Sequence, residues 1–69
     1  MTAAQYDALE RAIVDRTRVA IRINGAEMVL IPERIKLQNG RELLVTQNPS
    51  SGLPLLLKID DIERLEVVR

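Results

Sequence analysis

The stretch Arg16–Gln47, RTRVAIRINGAEMVLIPERIKLQNGRELLVTQ, decides the fold. In its first part Thr17, Val19, Ile21 and Ile23 alternate with Arg16, Arg18, Ala20 and Arg22. A period of two puts each set on one face of a strand, whereas a helix would scatter both around its axis. Asn24-Gly25 follows, and Asn39-Gly40 recurs after the next apolar run. Both dipeptides accept the positive φ angles that a tight hairpin turn demands. Between them, Ala26 to Gln38 is long for a strand and carries Pro32, which cannot donate a ladder hydrogen bond and suits a bend, bulge or edge. The expectation is one strand bent sharply near Pro32. With Glu42 to Gln47 as a third strand, two hairpins in series form a meander.

Toward the N-terminus, Thr2 to Gln5 has the T-x-x-Q spacing of a capping box. Tyr6, Leu9 and Ile13, with Ala12 beside them, then recur at helical spacing, while Asp7 and Arg11 lie one turn apart on the polar side. Toward the C-terminus, Asn48-Pro49-Ser50-Ser51-Gly52 is dense in turn formers, and Leu53 to Ile59 reads as a fourth strand. Asp60-Asp61-Ile62 suits a single helical turn before a fifth strand, Arg64 to Val68. Short antiparallel strands leave sheet edges exposed unless the sheet curls and closes. The predicted class is therefore mainly β, α+β by element count. An N-terminal helix over about residues 2–15 leads into a five-stranded antiparallel barrel over about 16–69, in one domain spanning 1–69.

Several of these strands are apolar on both faces. Val29, Ile31, Ile35 and Leu37 form one set while Met28 and Leu30 face the other way, and Leu44 and Leu56 are likewise opposed to their apolar neighbours. A strand buried on both sides needs a second cover. Either the single helix supplies it, or Met28, Leu30, Leu44 and Leu56 form a homo-oligomer or partner face.

The chain of 69 residues contains neither Cys nor His. That removes disulfides, thiolate nucleophiles, the usual zinc sites and imidazole acid–base chemistry, and it is compatible with a reducing compartment. The three glycines sit at separate turns, and Asp60-Asp61 with Glu63 lacks the further oxygen ligands of a calcium loop. Ser50, Ser51, Thr17 and Thr46 have no base at recognisable spacing. No catalytic residue, metal ligand or cofactor is expected, and the chain reads as a non-enzyme. Lys plus Arg balance Asp plus Glu at 10 each, so no global field draws the chain to nucleic acid or an anionic membrane. No apolar run approaches the ~20 residues of a membrane helix, and no signal-peptide pattern opens the chain. A cytoplasmic protein without membrane contact is the expectation.

Locally the balance differs. Arg16, Arg18 and Arg22 fall on one face of the first strand with Arg11 before them, a stripe that would meet RNA or DNA phosphates. Single-stranded nucleic acid is usually also held by aromatic stacking, and Tyr6 is the only aromatic residue.

A helix, a bent five-stranded barrel and a helical turn before the last strand together resemble the Sm-like or SH3-like small-barrel group. Within it, Tyr6-Asp7-Ala8-Leu9-Glu10-Arg11-Ala12 resembles the Y-D-x-L-E-x-A helix of Rof, the small inhibitor of the transcription terminator Rho. Leu57-Lys58-Ile59-Asp60-Asp61-Ile62 is similar to the L-R-L-D-K-I segment of that family. The chain is also similar to the WYL domain of bacterial transcriptional regulators at Ala12-Ile13, Pro32, Gly40-x-x-x-Leu44 and Lys58-Ile59-Asp60-x-Ile62. The Trp-Tyr pair of that signature falls on Glu42 and Leu43. These resemblances imply a non-catalytic regulatory module of bacterial transcription or RNA metabolism. It would dock a macromolecular partner through its N-terminal helix, with Asp7, Glu10 and Arg11 as candidate contacts, or through an exposed barrel edge; in the Rof case the partner is Rho, met by acidic helix positions that fall on Asp7 and Glu10. Two alternatives stand beside this: direct nucleic-acid binding through Arg16, Arg18 and Arg22, and self-assembly through the doubly apolar strands.

Overall fold

The computed structural model describes residues 1–68 of the chain, so the expected reach of the barrel to Arg69 extends one residue outside the described residues. Helix α1 spans Ala3–Asp15 and starts on the expected capping box. The Gln5 N–H donates to Thr2 Oγ1 and the Thr2 N–H donates to Gln5 Oε1, each at 3.1 Å. Such reciprocal caps satisfy two amides that a helix start leaves without partners. The helix ends at Arg16, which adopts the left-handed conformation (φ 55, ψ 42) and turns its N–H back to the carbonyls of Ala12 and Ile13. Arg16 is thus a helix cap rather than the first residue of a strand, and β1 begins later, at Val19–Ile23.

The remaining strands are β2 (Ala26–Gln38), β3 (Arg41–Gln47), β4 (Pro54–Lys58) and β5 (Arg64–Val67), with one 3-10 turn over Ile59–Asp61. Both Asn-Gly turns hold two successive positive φ angles, 51 and 75 at Asn24-Gly25 and 53 and 75 at Asn39-Gly40. This is the hairpin geometry whose twist matches the flanking strands. The Asn48–Gly52 loop is organised by Asn48, whose Oδ1 accepts from the N–H groups of Ser50 and Ser51.

All neighbours in the sheet are antiparallel, in the order β4-β3-β2-β1-β5. The first part of β2 pairs with β1, from Ile23↔Ala26 to Val19↔Leu30, and its second part pairs with β3, from Ile31↔Gln47 to Gln38↔Arg41. This is the bent strand expected from Pro32. The bend contains a bulge: the pairing passes from Pro32↔Thr46 to Arg34↔Val45 and leaves Glu33 without an opposite residue.

That extra residue overturns the expected division of β2 into faces. Met28, Leu30 and Pro32 point inward before the bulge, and Ile35 points inward after it. A bulge shifts the period-two alternation by one residue, so even positions face the core on one side of it and odd positions on the other. Leu30 and Leu44 are therefore buried, and Met28 is half-buried against the core. Of the four residues proposed as an oligomer face, only Leu56 is exposed.

The expected barrel is not closed. β4 and β5 end the sheet and are not paired with each other. The reason lies in α1, which packs across β2 and β5 and sinks Leu9 and Ala12 into the core. A single cluster joins these to Val19, Ile21, Leu30 and Leu44 and to Leu57, Ile59, Ile62 and Leu65, so apolar cover comes from the helix rather than from strand closure.

Candidate functional site

Two surfaces gather the candidate residues. The first is an open groove of about 700 Å³ along α1, lined by Ala4, Asp7, Ala8, Arg11 and Asp15 and by Val67 of β5. It brings together Asp7 and Arg11 from the expected partner-binding set, while Glu10 is exposed outside the lining. Asp7 and Arg11 do not close an ion pair, the one salt bridge among the described residues being Arg64–Glu66. The groove carries charges of both signs beside small alanines, a mixture that singles out no partner chemistry.

The stripe expected from Arg16, Arg18 and Arg22 is broken up. Arg16 caps the helix, and Arg18 precedes β1, its carbonyl accepting from the Val68 N–H at 2.9 Å. Arg22 stands in β1 between Glu27 of β2 and Arg64 of β5, and Arg64 is bonded to Glu66. Both signs occur on this face, with Glu27 and Glu66 beside Arg22 and Arg64, which lowers the local potential that phosphates would follow.

The second surface is formed by β2, β3 and β4, and sequence order conceals it. Leu44, Thr46 and Leu57 are buried, so the residues alternating with them face away from the core. Cross-strand register then sets out two rows on the outer face, Lys36–Leu43–Lys58 and Arg34–Val45–Leu56, with Gln38 opposite Arg41 beyond them. Every charged residue in these rows is a cation, and none of Arg34, Lys36, Arg41 and Lys58 is paired with a carboxylate among the described residues. The two nearby carboxylates turn elsewhere. Glu33 lines a cleft with Ile13 and Arg16. Glu42 lies opposite Leu37 on the core side and accepts from the Tyr6 hydroxyl at 2.7 Å. That hydrogen bond, with partial burial and the negative charges of Glu42 and Glu10, raises the Tyr6 pKa above its ordinary value.

This face ends at the free edge of β4. One edge of β4 pairs with β3, and the buried Thr46 hydroxyl reinforces the junction by donating to the Leu55 carbonyl at 2.8 Å. The opposite edge has no backbone partner among the described residues. Leu53, Leu55 and Leu56 are 66%, 39% and 53% exposed, and no charged residue occurs from Leu53 to Leu57. Proteins ordinarily blunt such edges with charges, bulges or cover. β5, at the other end of the sheet, follows that rule, being short, carrying Arg64 and Glu66, and packed against α1. β4 has Pro54 at its start and Lys58 at its end, with three leucines and no charge between them.

Among the described residues no three acidic side chains converge as a metal site would require, and Glu63 accepts from the Gly25 N–H at 2.9 Å. No helix is long and apolar enough to cross a membrane. Comparison with protein-family models, with curated proteins and with solved structures finds no match to the chain.

Proposed function

We propose that this chain is a non-catalytic interaction module that docks a macromolecular partner along the free edge of β4. The supporting observation is the contrast between the two sheet edges: β5 carries Arg64 and Glu66 and is packed by a helix, whereas β4 presents unpaired backbone and exposed leucines, with Lys58 at its end as its one charge. An extended segment of a partner adds to such an edge through main-chain hydrogen bonds, and alternate side chains supply specificity. The regulatory setting, bacterial transcription or RNA metabolism, draws on the resemblance of Tyr6–Ala12 to Rof and of Lys58–Ile62 to both families.

The test compares proteins captured from a lysate of the source cells by the wild-type chain and by a Leu55→Lys/Leu56→Lys variant. Both side chains are exposed, so the variant keeps its core. Loss of specific bands with the variant is expected, and an unchanged set of bands would remove β4 from the account. A second reading, self-assembly, draws on the same unpaired edge. Light scattering decides it, since a mass that stays monomeric as concentration rises excludes it.

A further inference from the structure

We infer that the segment received by β4 is an extended polypeptide strand carrying carboxylates on one face and aliphatic side chains on the other. This rests on the edge-docking reading above and adds the chemistry of the occupant. A strand laid beside β4 continues the existing rows by one position, at a spacing of about 5 Å. On the outer face its side chains stand beside Lys58, at the end of the row Lys36–Leu43–Lys58, and beside Leu56, at the end of the row that begins at Arg34. On the inner face they stand beside Leu57, which is buried, and Leu55, which is 39% exposed and gains cover from an aliphatic neighbour. Carboxylates fit outside because every charged residue of these rows is a cation, with Lys58 on β4 itself, and aliphatic groups fit inside because that side continues the core.

Charge also argues against the two other occupants. A second copy joined β4 to β4 would continue one cationic face with another and bring no carboxylate to offset it. A single-stranded nucleic acid would meet cations without stacking rings, since Tyr6 lies on the core side and is bonded to Glu42.

The experiment titrates the full chain into two labelled, end-blocked octapeptides, one alternating Val with Glu and the other alternating Val with Lys, and reads fluorescence anisotropy. The Val-Glu peptide is expected to bind at least about tenfold tighter at about 0.05 M salt, with the gap narrowing as salt rises because the cations are solvent-facing. An Arg34→Glu/Lys36→Glu/Lys58→Glu variant is expected to invert that order, and Lys58→Glu alone, at an exposed position, to narrow the gap. Equal binding of the two peptides, binding of neither, or an order unchanged by charge reversal would overturn the inference. So would a mixed-sequence oligonucleotide that binds, with steep loss in salt, where the Val-Glu peptide does not. If the peptides fail while lysate capture still depends on Leu55 and Leu56, the acidic chemistry falls and edge docking stands. If capture is also indifferent to those leucines, both fall.

Discussion

At the scale of single residues, Tyr6 and Glu42 tie the helix to the sheet. The Tyr6 hydroxyl donates to Glu42 across 36 positions of sequence. Accepting that hydrogen bond and placing negative charge beside it, Glu42 holds the phenol protonated to higher pH than the ordinary value of about 10. The folded state therefore binds this proton more tightly than the unfolded chain. The contribution of the contact to stability is intact below about pH 10 and is lost as pH rises through the folded-state value. Because Tyr6 is the only aromatic residue, its phenolate absorbance reports on this contact alone. An alkaline titration is expected to show a midpoint above about 10, lowered by Glu42→Ala; identical midpoints in the two proteins would contradict the contact.

At the scale of elements, the bulge in β2 is the decisive feature. Deleting Glu33 would remove the unpaired residue and the bend it adds, and would leave Pro32 inward, Arg34 outward and Ile35 inward in a regular ladder. The expected result is a cooperative unfolding transition retained at lower stability, whereas Glu33→Ala, which keeps the bulge and alters only an exposed side chain, is expected to shift stability by no more than about 0.5 kcal/mol. Circular dichroism in denaturant checks both. The same feature marks where sequence reading stopped. The Thr2/Gln5 box, both Asn-Gly turns and the inward set Val19, Ile21 and Ile23 are local chemistry, and each took its expected form. The faces of β2 were not legible, because a one-residue offset leaves no local signature beyond Pro32 and reverses what alternation implies. The left-handed Arg16 likewise carries no signal, since Arg is an uncommon residue at that conformation. The cationic face was hidden for a third reason: residues 34, 36, 41 and 58 become neighbours only through register.

At the scale of the whole molecule, a formal charge of zero coexists with a segregated surface. The charged residues on the outer face of the second part of β2, of β3 and of β4 are all cations, whereas mixed signs occupy the outer face around β1, β5 and the start of β2 as well as the exposed side of α1, with Asp7, Glu10, Arg11 and Asp15. The open sheet is closed on one side by α1 and left available at β4. The account thus turns on which edge receives a partner. Amide hydrogen exchange, followed residue by residue with and without the Val-Glu peptide or a partner captured from lysate, measures this most directly. New protection is predicted in Leu55–Lys58 of β4, where backbone groups gain hydrogen bonds, with α1 and β5 unchanged. Protection confined to α1 and Val67, with β4 exchanging as in the free chain, would contradict the account and move the docking site to the helix groove.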